Sequence, residues 1–257
     1  MASLQHVRLV DFATFKSSEF HSQFIADARS GVDSCLLICT RVPAGKGTSA
    51  GLHVHVADQF YYILRGQMQV QIGAAQYTAN PGSLVFIPAG APHWNWNEGD
   101  EDEVHAELIV PAPSHGQPTV YAVQVPSLSA APAEDGFYVR PLDESRFDPS
   151  DFSVVTLADR TTGSRSCRIN VIQVPPGKGS PGLHVHSFDQ FYFVLGGTMT
   201  LQVGRETQTV GPNSYVVLPA GTPHCNWNEG PEVERHLAIL VPEMLPAPEA
   251  GLPVTLS

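Results

Sequence analysis

The chain has 257 residues, of which 42% are hydrophobic, and its formal net charge is −11. This composition is that of a folded globular protein and excludes a disordered chain. The acidic excess, without any Lys/Arg cluster, argues against nucleic acid or an anionic membrane surface as a partner. Pro and Gly number 22 each, which predicts many turns and short strands.

The N-terminus and the hydropathy pattern bear on location. No apolar run reaches the roughly 18 residues that a membrane-spanning helix needs. The opening "MASLQHVRLVDF" has no cationic start followed by an apolar core, so no signal peptide is visible. We therefore expect a cytoplasmic protein without a membrane partner. The cysteines at 35, 39, 167 and 225 form no CxxC pair, and we expect buried, reduced thiols.

The first half of the chain has the pattern of short strands. The segments "QFYYILRG" (59–66), "MQVQIG" (68–73) and "SLVFIPAG" (83–90) are rich in β-branched and aromatic residues and end in Gly. No segment shows sustained helical periodicity. Strands separated by turns about every ten residues predict an all-β sandwich or barrel.

Two histidines precede these strands in "GLHVHVADQF". His53 and His55 would share one face of a strand, and Gln59 has the same parity. His93 follows a Pro-Gly turn in "PAGAPHWNWN" and would approach from a neighbouring strand. Three imidazoles and one amide oxygen suit a divalent first-row metal, with positions left for water or substrate. A lone HxH pair is more often surface decoration or a pH-sensitive pair.

The second half of the chain repeats the first. A shift of 131 places residues 51–111 on 182–242 without a gap, and a shift of 132 places 7–15 on 139–147. The repeated ligand set is His184, His186, Gln190 and His224. Recurrence of the whole set favours metal binding. We predict an N-terminal barrel at 1–111, a Pro/Ala/Ser-rich linker at 112–138 and a C-terminal barrel at 139–257.

Candidates for acid–base chemistry lie twelve residues after the third histidine of each set. His105 and His236 recur there, and Glu107 has the parity of His105 while its counterpart is Ala238. If this face points into the barrel, the first module has an acid/base pair that the second lacks. If it points outward, these are solvated edge residues, and parity does not decide between the two.

Two further sets of polar residues recur near the candidate ligands. Tyr61 and Tyr192 share the parity of the glutamines, so each either donates a hydrogen bond to a bound substrate or fills the core. The asparagines after the third histidines either line the pocket or cap turns. These are Asn95, Asn97, Asn226 and Asn228.

Two motifs in each half resemble those of the cupin family, and the chain looks like a bicupin. The first motif is matched by Gly51, His53, His55, Gln59 and Gly66, with Gln where the family has Glu. The second, G(x)5PxG(x)2H(x)3N, is matched by Gly82, Pro88, Gly90, His93 and Asn97. The second copy has Asn213 for the first Gly, then Pro219, Gly221, His224 and Asn228. The resemblance implies two tandem jelly-roll (double-stranded β-helix) barrels, each with a metal.

The glutamine in place of glutamate has a chemical consequence. An amide does not titrate, so Gln59 and Gln190 leave the metal its full charge and cannot act as bases. Any general base must therefore come from elsewhere in the barrel.

The resemblance implies three functions. The favoured one is a dioxygenase-type oxidoreductase that acts on a small metabolite, with Fe(II) favoured and Mn, Ni, Co, Zn or Cu as alternatives. The second is a non-redox isomerase, lyase or hydrolase, which the glutamine ligands favour. The third is a metal-dependent small-molecule binding protein. Edge strands of such barrels often pair between chains, so the resemblance also implies a homodimer.

Overall fold

The computed structural model describes residues 5–15, 19–48, 50–114, 116–124, 136–180, 182–243 and 251–256. These residues form short strands and four 3-10 helices, and among them no helix is long and apolar enough to span a membrane. The chain divides into two compact units. We call Asp11–Leu142 the first barrel, and Met1–Val10 together with Asp143–Ser257 the second barrel. The prediction of an all-β chain with two barrels is confirmed.

The first barrel consists of two antiparallel sheets. Its strands are β2 (His21–Ala26), β3 (Leu36–Val42), β4 (His53–Val54), β5 (Asp58–Arg65), β6 (Met68–Ile72), β7 (Ala75–Ala79), β8 (Ser83–Ile87), β9 (His93–Trp96), β10 (Glu103–Val110), β11 (Tyr121–Ala122) and β12 (Val139–Pro141). One sheet has the order β12-β8-β5-β10-β3-β2 and the other β11-β4-β9-β6-β7. Short 3-10 helices lie at Phe12–Thr14 and Ala28–Ser30.

The second barrel repeats this topology strand for strand. Its strands are β1 (Val7–Leu9), β13 (Ser153–Ala158), β14 (Arg168–Val174), β15 (His184–Val185), β16 (Asp189–Gly196), β17 (Met199–Val203), β18 (Glu206–Val210), β19 (Ser214–Leu218), β20 (His224–Trp227), β21 (Glu234–Val241) and β22 (Leu252–Pro253). The sheet orders are β1-β19-β16-β21-β14-β13 and β18-β17-β20-β15-β22. The 3-10 helices are Glu144–Arg146 and Arg160–Thr162.

The boundaries of the first barrel differ from the predicted ones at both of its ends. Strand β1 pairs with β19, with Val7 opposite Val216, so residues 1–10 belong to the second barrel. Strand β12 pairs with β8, with Val139 opposite Val85, and belongs to the first barrel. The segments "VRL" and "VRP" share two of three residues, and their partner strands are both a serine followed by four apolar or aromatic residues. Local sequence therefore does not decide which barrel each segment joins.

The predicted linker 112–138 is not uniformly irregular. It contains β11, in which Tyr121 pairs with Val54 of the first barrel. At its end the Tyr138 ring lies 5.7 Å from that of Tyr77. Residues 125–135 of this segment lie outside the described residues.

Each barrel has its own apolar core between the two sheets. In the first barrel the core includes Tyr61, Ile63, Met68, Val70, Ile72, Ala79, Val85 and Ile87. In the second barrel the matching residues include Tyr192, Val194, Met199, Leu201, Val210, Val216 and Leu218. All four cysteines lie buried as thiols, as predicted. Burial raises the pKa of Cys39 to about 12, with Glu103 and Glu107 adding to the effect, so this thiol is unreactive at neutral pH.

Candidate metal centre

The three histidines predicted from the first half of the chain meet inside the first barrel. His53 on β4 lies opposite His93 on β9, and His55 follows on the same side of the chain. Their ligand atoms all lie within 4.8 Å of one another, and all three rings are buried. The alternation of a short extended segment therefore brings the HxH pair together as the sequence predicted.

Backbone carbonyls orient these imidazoles. Because a carbonyl oxygen only accepts, each Nδ1 that bonds one carries the hydrogen and leaves Nε2 as a lone pair. The Nδ1 donors and their acceptors are His53 to Gly51 at 2.7 Å, His55 to Thr119, and His93 to Ala91 at 2.9 Å. All three rings thus turn Nε2 toward one another, as metal-bound histidines with a fixed tautomer do.

The facing Nε2 lone pairs repel one another unless a cation lies between them. The Nε2 atoms of His53 and His55 are 3.2 Å apart, and Nε2 of His93 is buried without a partner in the described part of the chain. Burial lowers the pKa of His55 to about 4 and that of His93 to about 3, so a proton does not relieve the repulsion at neutral pH. Neighbouring ligands about 2.1 Å from a metal ion stand roughly 3 Å apart. The triad therefore fits a bound divalent metal.

Glu107 fixes the orientation of Gln59, the predicted fourth ligand. The Gln59 Nε2 donates to Oε1 of Glu107 at 2.6 Å, and no described residue is a partner for the buried Gln59 Oε1. A carboxylate only accepts hydrogen bonds, so the amide nitrogen must face Glu107. The amide oxygen is left free, which is the donor atom that the predicted N3O set requires.

The second barrel holds the equivalent set. The ligand atoms of His184, His186 and His224 also lie within 4.8 Å of one another. His224 donates its Nδ1 hydrogen to the carbonyl of Thr222, and its Nε2 lies 2.9 Å from Oε1 of Gln190. Burial lowers the pKa of His224 to about 4, so two acceptors again face each other across a gap that suits a cation.

A cavity of about 330 Å³ lies against two members of the first triad, His53 and His55. It is lined by Phe20, Ser22, Phe24, Leu36, Ile38, Thr40, Thr48, Ala50, His53, His55, Gln59, Tyr61, His105, Glu107, Ile109, Thr119 and Val120. The predicted acid–base face therefore points inward, and His105 and Glu107 are not solvated edge residues. A larger depression of about 820 Å³ in the second barrel, beside His6 and Arg205, contains none of the predicted site residues.

Glu107 is held from two sides. Its Oε1 accepts from Gln59, and its Oε2 accepts from Oγ1 of Thr40 at 3.3 Å. Thr40 is in turn hydrogen-bonded to Ser22 across β2 and β3, at 2.9 Å. These contacts fix a carboxylate beside the candidate metal ligands, within the cavity.

His105 and His236 each pair with a glutamate that the sequence reasoning missed. His105 Nδ1 lies 2.9 Å from Oε1 of Glu103, and His236 has the same contact with Glu234; all four side chains are buried. Burial acts to lower the pKa of His105, but the charge of Glu103 outweighs it, and the pKa lies above its usual value. The available signal was a Glu two residues before each His, in "EVH" and "ERH".

The two predicted tyrosines lie against these histidines. The ring centroids of Tyr61 and His105 are 4.6 Å apart, and those of Tyr192 and His236 are 4.7 Å apart. Burial raises the pKa of both phenols, so both stay protonated at neutral pH. Tyr61 belongs to the core and also lines the cavity, so its core-filling role is confirmed and donation to a substrate stays a prediction.

The second site lacks the carboxylate of the first and the polar pair that holds it. Ala238 replaces Glu107, and the cross-strand pair Ser22–Thr40 becomes Val154–Ile172. The structure therefore provides two candidate metal sites, of which only the first has a carboxylate next to its glutamine.

Turn capping is confirmed for two of the four asparagines, and the pocket-lining role stays a prediction for the other two. Asn97 caps a turn, because its Nδ2 donates to the carbonyls of Val42 and Glu101 and its Oδ1 accepts from Gly99. Asn228 makes the equivalent bonds in the second barrel. Both amide atoms of Asn95 are buried without a partner among the described residues.

The fold and the sites define a duplicated β-barrel protein with a candidate metal centre in each barrel. The Cupin domain family model matches residues 41–110 and 170–240, and the chain belongs to the cupin family. The two matched regions make it a bicupin. This result confirms the predicted family and fold, while the identity of any metal stays a prediction.

Solved structures agree with this fold. A Cupin 2 conserved barrel domain protein from Leptotrichia buccalis is 16% identical, with a TM-score of 0.64, over 91% of this chain and 96% of that one. Protein Ylba from E. coli is 12% identical, with a TM-score of 0.69, over 96% of each chain. A point mutant of oxalate decarboxylase from Bacillus subtilis is 15% identical, with a TM-score of 0.71, over 96% of this chain and 79% of that one. A search among curated proteins found no match.

Proposed function

We propose that this bicupin is a metal-dependent enzyme whose first barrel transfers a proton on a small carbonyl compound, as an isomerase or lyase. The observation that carries the proposal is Glu107, which lies in the cavity and is hydrogen-bonded to the candidate ligand Gln59 at 2.6 Å. The neutral ligand set leaves the metal its full charge and needs a separate base. Glu107 supplies that base.

The chain's own groups have defined tasks in this reaction. His53, His55, His93 and Gln59 would hold a divalent metal, which supplies polarisation of a bound carbonyl oxygen. The Glu107 carboxylate takes a proton from the carbon next to that carbonyl. The C–H bond breaks, an O–H bond forms on Glu107, and the electron pair moves toward the carbonyl oxygen. Return of the proton to a different carbon completes an isomerisation.

Other residues hold Glu107 and the substrate in place. Thr40 and Gln59 donate hydrogen bonds to the two oxygens of Glu107 and restrict its rotation. The Tyr61 hydroxyl, which stays protonated, is available to donate to the substrate. Burial of Gln59 and His93 keeps bulk water from this side of the site.

The second barrel would hold a metal without turning over the same substrate. Its position 238 is Ala, and the neighbouring polar pair is replaced by Val154 and Ile172. We therefore assign catalysis to the first barrel.

The dioxygenase-type oxidoreductase, with Fe(II), is the second candidate. The donor set of three histidines and one neutral amide also suits this candidate, because it leaves open positions on the metal. The likeness to oxalate decarboxylase from Bacillus subtilis favours neither candidate, since 15% identity shows the fold alone. An oxygenase needs the same metal but has no need of Glu107, so one variant separates the two.

The deciding experiment measures deuterium uptake from D2O by NMR, on metal-loaded protein with a panel of diketones and α-keto acids, and oxygen consumption in parallel. We expect Glu107→Gln to reduce uptake at least 100-fold while metal content stays at the wild-type value. Ala238→Ser, the matched change in the second barrel, should leave uptake unchanged. Substrate-dependent oxygen consumption that Glu107→Gln does not alter would replace the isomerase with the oxygenase.

A further inference from the structure

One wall of the first cavity is apolar and reaches the solvent. Phe20 and Phe24 are 37% and 54% exposed, and both line the cavity. Behind them Ile38 and Ile109 are buried in an apolar cluster with Leu36 packed against it. A single cavity thus joins the candidate metal ligands to an apolar surface at its rim.

The repeat shows that this wall is a feature of the first barrel. Phe24 pairs across the sheet with Ile38, whereas the equivalent pair in the second barrel is Thr156 and Asn170, hydrogen-bonded at 2.9 Å. The next pair reverses this order, because Ser22–Thr40 is polar and Val154–Ile172 is apolar. The first barrel therefore has its polar pair beside Glu107 and its apolar pair at the rim.

The charges of the cavity limit what it accepts. Among the described residues that line it, none is Lys or Arg, and the one carboxylate is Glu107. A substrate with two carboxylates would place one of them near Glu107 without a side-chain cation to neutralise it, which is costly in a partly buried site. The volume of about 330 Å³ is at the small end of ligand pockets.

We infer that the first barrel selects a neutral, enolisable carbonyl compound with one apolar chain or ring, and that this chain lies against Phe20, Phe24, Leu36, Ile38 and Ile109. The inference rests on the proposed function, because that function places the carbonyl group at the metal. Glu107 and the metal ligands act on the carbonyl end of the substrate, and the apolar wall contacts its chain or ring.

The test is a binding series that does not depend on turnover. Zinc-loaded protein is titrated calorimetrically with pentane-2,4-dione, heptane-2,4-dione and nonane-2,4-dione, and with malonate as the charged comparison. Each buried methylene should tighten Kd about fourfold. Malonate should bind more weakly than the longest diketone. A flat series, no binding of nonane-2,4-dione or tighter binding of malonate would overturn the inference.

Variants test whether the alkyl chain of the ligand contacts the apolar wall. Phe24→Thr and Ile38→Asn together give the first barrel the residues of the second, and they should remove the dependence of Kd on chain length while metal content is unchanged. Thr156→Val in the second barrel is the matched control and should leave the series unaltered. If the double variant retains the dependence of Kd on chain length, the alkyl chain of the ligand lies elsewhere.

Should the double variant fail to fold, the single change Ile38→Ser is used. Glu107→Gln should keep the dependence, so loss of deuterium uptake and loss of chain selectivity report on the two proposals separately.

Discussion

The amide of Gln59 has a donating end and an accepting end, and Glu107 takes the donating one. The contact leaves Oε1 of Gln59 buried without a partner among the described residues, and Gln59 lines the same cavity as His53 and His55. Gln190 has no such neighbour, since position 238 is Ala. One residue difference between the repeats thus changes both the surroundings of a candidate ligand and the chemistry available next to it.

This difference makes the two glutamines respond unequally to an added charge. Gln190→Glu should tighten zinc binding at the second site, because a carboxylate adds charge attraction that an amide lacks. Gln59→Glu should gain less or lose affinity, because the new carboxylate faces Glu107 at hydrogen-bond distance. Zinc affinity is measured by chelator competition, with the other site disabled by His184→Ala or His53→Ala. Equal gains at both positions would contradict the placement of Glu107.

Strand parity predicted part of the candidate site but did not predict which strand face points into the barrel. Alternation in an extended segment put His53 and His55 on one face, and the repeat singled out His93 and Gln59. Parity also placed His105 and Glu107 on one face, but a strand has two faces and the sequence does not say which is inside. The Glu103–His105 pair was missed because two residues of equal parity on one strand were not considered as partners for each other.

Among the elements, the β5–β6 turn shows why a glycine ends the first motif. Gly66 has φ +69°, and a Cβ there would lie 2.5 Å from the carbonyl oxygen of Asp102 and 2.8 Å from Cα of Glu103. Gly197 makes the same approach to Val233 and Glu234 in the second barrel. The register of β5 and β10 shifts between Val104 and His105, next to this contact. The glycine thus lets the turn close onto the start of the strand that carries His105 and Glu107.

Two glycines in similar turns separate backbone strain from close contact. Gly73 also has positive φ, at +59°, but its Cβ position has nothing within 4 Å. Gly73→Ala should therefore cost about 1–2 kcal/mol of unfolding free energy, from the left-handed conformation alone. Gly66→Ala should cost more, because rigid backbone atoms must also move. Denaturant unfolding measures both, and equal losses would contradict the close approach at Gly66.

At the scale of the whole molecule, the barrels follow from the repeat but their boundaries do not. Strand alternation, turns and the two motifs were enough to predict two similar barrels. The segments 7–9 and 139–141 resemble each other, and both partner strands are a serine followed by four apolar or aromatic residues, so sequence offers no preference for one barrel over the other. The sheet edge that each segment joins depends on how the whole chain folds. It cannot be predicted from the sequence of the segment alone.

Deletion of residues 1–10 tests this arrangement. Because β1 pairs with β19, the truncated chain should lose amide protection in β19 and stability in the second barrel. Strand β8, which pairs with β12, should keep its protection. Hydrogen exchange followed by mass spectrometry reads both strands in one experiment. Loss of protection in β8 with β19 unchanged would restore the predicted boundary at residue 1.

The central claim is that each barrel binds a metal through its own three histidines and glutamine. The most direct measurement is metal content per chain, by elemental analysis, for the wild type, His53→Ala and His184→Ala. We expect two equivalents in the wild type and one in each variant, since removal of one ligand from a buried triad leaves the other barrel intact. Two equivalents in either variant, or none in the wild type, would contradict the account.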